Sequence, residues 1–522
     1  MHEVELVLVS LLVAVAVLGA AARAMNIPYP IVLVVGGLAL GFLPGLPDVE
    51  LAPELVLVIF LPPLLYSAAF FANLSDLRAS WRPITLQAVG LVLFTMVAVA
   101  LVIKALVPDM PWAAAFTLGA IVAPTDPVAA TEIARRMSVP RGMVSIIEGE
   151  SLINDGTALV AYRAAVLAVG GTFSIWEAGL DFIASASGGV AIGLAVGWLI
   201  TEIRRRLDDI PVEITISLLS GYAAYVPAEA IETSGVLAAV TCGIVVGWNA
   251  PRISTASMRL QGYAVWEILT FLLNALLFVL IGLQLPLILD ELSGEAAGSL
   301  LLWAVAVSLT VILARLIWAH TMVFVVRALD RRAVQRERRS SWQARTVIAW
   351  AGMRGSVSLA AALALEPDFP NRELILLMTF AVIFSTLVLQ GLTLPAVIRM
   401  LHIRDDGLDE REELHGRRAA AEAALARLDE LAEEEWTYDD TVERMRGLYR
   451  YRARRFAARA GEGDEDGDGI EHRSRKYQKV VRAVLDAQRA ELLRLRNAGE
   501  ISNEVMHRLE RELDLEDERL EI

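Results

Sequence analysis

Residues 112–136 read WAAAFTLGAIVAPTDPVAATEIARR, an apolar run interrupted near its middle by Pro124-Thr125-Asp126-Pro127. A second apolar run, residues 344–366, is interrupted at Ala351-Gly352-Met353-Arg354-Gly355-Ser356. A helix that breaks inside a bilayer frees backbone groups that lipid cannot satisfy, so each break must face a polar cavity or a charge. Breaks at matching positions of two halves point to a transporter's binding site. These two runs are the fifth and twelfth of thirteen apolar stretches, at roughly 4–22, 28–43, 51–72, 84–107, 112–136, 142–169, 178–203, 211–227, 230–248, 264–286, 299–327, 344–366 and 371–401. The expected fold is an all-α polytopic membrane protein. Its two six-helix halves have opposite orientation, joined by the seventh helix, and each contains one broken helix.

The bulk composition agrees. The chain is 56% hydrophobic and 21% charged, and its mean hydropathy is +0.52. The apolar stretches end near Leu401, and the sequence from Arg404 onward is dense in Glu, Asp and Arg. Stretches near 20 residues with charges confined to the gaps are the mark of spanning helices. We therefore expect a transmembrane domain over 1–403 and a charged helical tail over 404–522. Basic residues concentrate in cytoplasmic loops, and here they alternate. One set of loops carries Arg23; Arg78 and Arg82; Arg135, Arg136 and Arg141; Arg204 to Arg206; Arg252 and Arg259; and the run from Arg327 to Arg345. The other set carries Asp48 and Glu50, Asp109, Glu177, Glu229, Asp290 and Glu291, and Glu366 and Asp368, with Lys104 and Arg372 as its basic residues. That alternation places the N-terminus outside and the tail in the cytoplasm. The start, Met1-His2-Glu3-Val4-Glu5, lacks the basic flank of a cleaved signal peptide and reads as the first span. A net charge of −14 argues against nucleic-acid binding. The single cysteine, Cys242, excludes a disulfide framework or a Cys-ligated metal; we expect it to be a packing residue.

Charges at mid-membrane cost about 2.5–3.5 kcal/mol each, so each needs a reason. The fifth and sixth spans hold Thr125, Asp126, Glu148, Glu150, Ser151, Asn154, Asp155 and Arg163; later spans add Arg315 and Arg354. Asp155 lies thirteen residues beyond Gly142, near the midplane. Ser151 is one turn away on the same face, and Glu150 and Asn154 share another. Glu150 and Asp155 project about 140° apart, so one carboxylate can be neutralised permanently by an arginine while the other exchanges a proton. Arg163, nearer the outer surface, is expected to be paired or to snorkel. Glu132, Glu202, Glu213 and Glu267 lie near span ends and read as solvated.

The segments Ala-Pro-Thr-Asp-Pro-Val-Ala (123–129), Glu-Gly-Glu-Ser-Leu-Ile-Asn-Asp-Gly-Thr-Ala (148–158) and Gly-Met-Arg-Gly-Ser-Val (352–357) resemble signature segments of the monovalent cation/proton antiporters. The bacterial relatives of the animal sodium/proton exchangers are the branch they resemble most. Leu61-Pro62-Pro63-Leu64-Leu65-Tyr66 and Ile281-Gly282-Leu283-Gln284-Leu285 match as well, and the likeness covers about residues 1–400. It implies that Asp155 alternately carries proton and cation, preceded by the asparagine of the electroneutral branch, Asn154. It implies oxygen ligands for a monovalent cation from Thr125 and Ser151 beside Asp155. Asp126 would offset helix-end dipoles at the crossing of the broken helices or contact the ion. Glu150 would be a structural acid with Arg315 as its partner, and Arg354 the arginine of the second broken helix. Some relatives carry a glutamate after the aromatic of the third-span motif, where this chain has Ser67.

The expected function is antiport of a monovalent cation, Na+ before K+ or Li+, against H+ at the cell membrane, in a homodimer and without any cofactor. A cation channel is the structural rival. An intramembrane aspartyl protease using Asp126 and Asp155 would need a Gly-x-Gly-Asp motif, which neither aspartate has, and a hydrolase built on Ser151 lacks an intramembrane base, since His320 sits near a span end. The tail reads as helical, with heptad-like apolar positions around Ala419–Leu431 and Val480–Leu495. Its Asp464-Glu465-Asp466-Gly467-Asp468-Gly469 run fails as a calcium loop because Arg475 stands where a bidentate Glu is needed.

Overall fold

The computed structural model describes residues 2–43, 56–170, 175–291, 296–329, 341–459 and 467–521. Asp48, Glu50, most of the basic run after Arg327 and the acidic residues 464–466 lie outside them. The chain forms two compact units, Met1–Asp405 and Asp406–Ile522.

Among its described residues the first unit consists of helices and their connections, and the helices fall where the apolar stretches do. Among the described residues, seven are long and apolar enough to cross a membrane: Trp81–Leu106, Arg141–Gly170, Gly179–Arg205, Gly235–Ile253, Ala256–Pro286, Ala297–Phe324 and Arg372–Met400. Shorter apolar helices occupy Val9–Met25, Tyr29–Gly41, Val58–Phe70 and Trp112–Val122, and Ile210–Ala230 fills the place of the expected eighth span. The fifth stretch is split into Trp112–Val122 and Val128–Arg136. The twelfth is split into Trp342–Trp350 and Ser356–Leu363. Two prolines remove donors at the first break, and Gly352 and Gly355 take the place of bulky residues at the second.

Small residues let these helices approach closely, as expected where no hydrophobic force draws helices together in lipid. A Cβ on Gly37 would overlap the Val279 carbonyl, and one on Gly282 would overlap the Val34 carbonyl, so Tyr29–Gly41 lies backbone to backbone on Ala256–Glu291. Gly243 and Gly247 do the same against Tyr66 and Phe70.

Two expectations about charges are revised. Glu213 is not solvated: it is 1% exposed and faces Arg204, itself fully buried, at 3.7 Å. Arg204 is thus no loop residue; it ends the helix Ile175–Arg205 and donates to Ser254 Oγ at 3.2 Å. The short connection 206–209 folds the next helix back beside it, which position in the sequence alone does not reveal. Glu132 is also partly buried and pairs with Arg136. Arg163 is paired, as anticipated, with Glu229, whose other carboxylate oxygen accepts from the Gly235 amide at 3.0 Å. Cys242 is buried.

The second unit comprises Leu408–Leu431, Asp439–Arg459, Gly467–Asn497 and Asn503–Glu521. Leu414, Ala421 and Leu428, spaced by sevens, are the buried residues of the first helix. Asp429 pairs with Arg446 at 2.6 Å, and Arg417 lies over Phe456 at 5.5 Å, so the first two helices run antiparallel. Arg489 ties the third helix to Asp514 at 2.9 Å and Asp517 at 3.1 Å on the fourth. Leu485 is buried on the third helix, while Val480, Val484 and Leu493 remain exposed.

Candidate functional site

The two breaks meet. The Asp126 amide donates to the Met353 carbonyl at 2.8 Å, joining positions more than two hundred residues apart. Four half-helices therefore end at one place inside the apolar unit, and each end carries a partial charge and unsatisfied backbone groups.

Side chains answer those ends by sign. Arg354, fully inside, donates from Nε to the Val122 carbonyl at 3.0 Å and from Nη2 to Ala123 at 3.5 Å, where Trp112–Val122 stops. It also donates to the Gly352 carbonyl. Arg315 donates to the Ala349 carbonyl at 3.1 Å and to Ile348 at 3.2 Å, where Trp342–Trp350 stops. Both negative helix ends thus receive an arginine. The two positive ends meet at one carboxylate: Asp126 accepts from the Val128 amide at 2.9 Å and lies against Gly355, which precedes the helix Ser356–Leu363. The glycines of the second break make room for this. A Cβ on Gly352 would overlap the Arg315 side chain, and one on Gly355 would overlap the Asp126 carboxylate.

The helix Arg141–Leu167 holds two buried acids, Glu150 and Asp155, which have different surroundings. Glu150, 1% exposed, takes both Nη groups of Arg315, Nη2 at 2.7 Å, in a two-pronged pair. The Thr125 hydroxyl donates to Glu150 Oε1 at 3.3 Å and accepts from Asn154 Nδ2 at 2.8 Å. Glu150, Thr125, Asn154 and Arg315 therefore form one chain of bonds on the side of the helix facing the breaks. Asn154 has both hands in this interior: its Oδ1 is buried without a hydrogen-bond partner among the described residues. Asp155 is buried as well, at 6% exposure. No arginine or lysine among the described residues lies within ion-pair distance of it.

Asp155 instead faces a cavity of about 590 Å³, which Ser151, Thr125 and Asp126 also line. At roughly 30 Å³ per water, that volume admits a hydrated monovalent ion. One end of the lining is formed by Arg135 and Glu148, paired at 2.9 Å and partly exposed. From Glu148 to Asp155 the helix advances seven residues, about 10 Å. The cavity is thus a path from one surface to the buried carboxylate. Ser67 lines it from the third stretch, with its hydroxyl turned to its own helix, donating to the Leu64 carbonyl at 2.9 Å.

Of the residues singled out from the sequence, Asp155, Ser151, Thr125 and Asp126 line one cavity, while Glu150, Asn154, Arg315 and Arg354 stand behind its wall. Sequence reading missed the far wall. Ser356 and Ser358 from the second break, and Glu267, Thr270 and Asn274 from Ala256–Glu291, also line the cavity. The Ser358 hydroxyl is buried without a hydrogen-bond partner among the described residues. A polar residue every three or four positions at 267, 270 and 274, within the otherwise apolar run 264–283, was the available signal. His320 contacts the Leu316 carbonyl at 3.1 Å and Thr346 Oγ1 at 3.2 Å, and does not serve Ser151.

Comparison with known proteins fits this arrangement. Residues 8–400 match the family described as "Sodium/hydrogen exchanger, transmembrane". The chain is 35% identical to an uncharacterized Na+/H+ exchanger of Mycobacterium tuberculosis, across 98% of its own length and 96% of that protein's. It is 34% identical to the Na+/H+ antiporter ApNhaP of Aphanothece halophytica, over 77% of this chain and 75% of the relative. In fold it is similar to the sodium proton antiporter MjNhaP1 of Methanocaldococcus jannaschii: TM-score 0.61 at 20% identity, covering 76% of this chain and 98% of that one. The chain belongs to the sodium/hydrogen exchanger family. It is a multi-pass membrane transporter that carries out cation/proton antiport, so the protease and hydrolase readings fall.

Proposed function

We propose that this protein exchanges Na+ for H+ without moving net charge, and that Asp155 holds the proton and the cation in turn. The observation that carries the reading is the contrast between two neighbouring acids on one helix. Glu150 has a two-pronged arginine, while Asp155 faces a cavity and, among the described residues, no Arg or Lys within ion-pair distance. A carboxylate held by a guanidinium is committed to that pair, and one without such a partner is available to exchange. Ser151 and the Thr125 oxygen stand beside Asp155 as neutral ligands for a hard monovalent cation. Asn154 cannot change protonation, so one proton leaves per cation bound.

In this scheme the cation enters past the Arg135–Glu148 pair, displaces the Asp155 proton and is held by carboxylate and hydroxyl oxygens. The crossed half-helices, their ends neutralised by Asp126, Arg315 and Arg354, then move against the remaining helices to open the other side. The loop charges support an N-terminus outside and a tail in the cytoplasm, with residues 1–403 as the transport domain, 404–522 as a separate module, and a homodimer as the assembly. The test is ion-by-ion dequenching of an internal pH dye in proteoliposomes. Na+-driven proton flux that Asp155→Asn abolishes supports the reading. Flux driven by K+ and not by Na+ reassigns the substrate, and full activity of Asp155→Asn refutes the carrier assignment.

A further inference from the structure

We infer that Glu267 is a collecting site for the transported monovalent cation, holding it at the mouth of the cavity before it reaches Asp155. This rests on the proposed exchange of proton for cation at Asp155.

Two ring contacts fix the level at which Glu267 stands. Tyr66 meets Trp266 at 5.6 Å between ring centres, and Phe71 meets Tyr263 at 5.3 Å, so Leu61–Phe70 and Ala256–Glu291 run antiparallel. Ser67 lies one turn back from Phe71, and Glu267 one turn on from Tyr263. Both line the cavity that Asp155 faces, so they stand at about the same depth in it. The Ser67 hydroxyl is turned to the Leu64 carbonyl at 2.9 Å, so at this level the Glu267 carboxylate supplies the charge. From Glu267 the helix carries Thr270 and Asn274 along the same wall over seven residues, about 10 Å, the same advance as from Glu148 to Asp155. The loop charges place the starts of both helices at one surface, so the two rows climb in the same sense.

The charge of Glu267 is not cancelled by a neighbour. Besides Asp155, the acids lining the cavity among the described residues are Asp126, Glu132, Glu148 and Glu267. Asp126 is held at the helix ends of the two breaks. Glu132 is paired with Arg136, and Glu148 with Arg135 at 2.9 Å. Glu267 is exposed and has no ion pair among the described residues. A lone carboxylate in a cleft with apolar walls focuses its field there and raises the local concentration of cations. Its exposure keeps the hold weak, as an entry site requires, since an ion bound too tightly does not move on. Glu267 is thus a positioning group: it delivers the ion that Asp155 exchanges.

The experiment measures Na+-driven proton flux by the full-length chain in everted and in right-side-out membrane vesicles, with the flux of vesicles lacking the protein subtracted. With the mouth on the proposed cytoplasmic side, Glu267→Gln raises the KM for Na+ about fivefold in everted vesicles, the weight of one charge contact near 4 Å in water. Its kcat stays close to the parent's. In right-side-out vesicles the KM does not change. Glu267→Asp, which keeps the charge, recovers most of the loss. Raising the ionic strength with choline chloride narrows the difference between Glu267→Gln and the parent, because an exposed charge is screened. A merely structural role for this side chain would give neither the split between KM and kcat nor the salt dependence.

An unchanged KM in Glu267→Gln overturns the proposal, as do a rise of equal size from both sides and a rise that salt leaves intact. A fall in kcat at constant KM assigns Glu267 to the conformational step and overturns it too. A rise confined to right-side-out vesicles supports the site and reverses the proposed orientation. The flux of the parent and of Asp155→Asn in the same vesicles separates failure of the collecting site from failure of the proposed function.

Discussion

Arg315 supports two structures at once, and removing it should therefore cost more than removing the carrier itself. Its guanidinium neutralises Glu150, which is 1% exposed, and caps the carbonyls of Ile348 and Ala349. Arg315→Gln strands a buried carboxylate, about 3–5 kcal/mol, and loosens two carbonyl bonds, about 1 kcal/mol each. At roughly 2 °C per kcal/mol for a large domain, the apparent Tm should fall by about 10 °C. Glu150→Gln alone leaves an ionised arginine that still holds both carbonyls, and should fall by roughly 6 °C on the same scale. The double variant Glu150→Gln/Arg315→Gln contains no stranded charge and should lose only the carbonyl part, about 4 °C. The assay is thermal unfolding of the four purified proteins in one detergent, followed by intrinsic fluorescence or by size-exclusion after heating. If the losses add, giving roughly 16 °C in the double variant, the two groups do not act as a pair and the division of labour between Glu150 and Asp155 collapses.

Other outcomes follow from the same geometry. Asp155→Asn replaces a carboxylate that has no cationic partner among the described residues by an amide of the same shape, so exchange should vanish while the apparent Tm stays within a few degrees of the parent; retained proton flux would remove Asp155 from its role. Gly355→Ala pushes a methyl into the Asp126 carboxylate, so transport should drop at least tenfold while membrane insertion persists; a fully active variant would show that this carboxylate need not sit on the two helix ends. With one titrating group, a clamped potential of 100 mV, about 2.3 kcal/mol for one charge, should leave the reversal point of Na+-driven proton flux unchanged, and a voltage-dependent reversal point would demand a second exchanging group.

The sequence by itself determined the class and most of the cast. Apolar stretches of spanning length force helices, because lipid offers no partner to any other open backbone. The Pro-Thr-Asp-Pro and Gly-Met-Arg-Gly interruptions fall where the two helices do break. The separation of Glu150 from Asp155 follows from the helical repeat alone, since neighbours in sequence project to different sides whatever surrounds them. What lies across space was hidden. Only the tertiary structure decided that Arg354 reaches the carbonyls of Val122 and Ala123, that Asp126 serves two helix ends, and that Glu267, Asn274 and Ser358 complete the cavity. Glu213 shows the reason most plainly. Near a span end it looks like any solvated acid, yet it is buried against Arg204 of the preceding helix. Periodicity fixes which way a side chain leaves its own helix; which group it meets depends on how distant segments pack, and no local pattern records that.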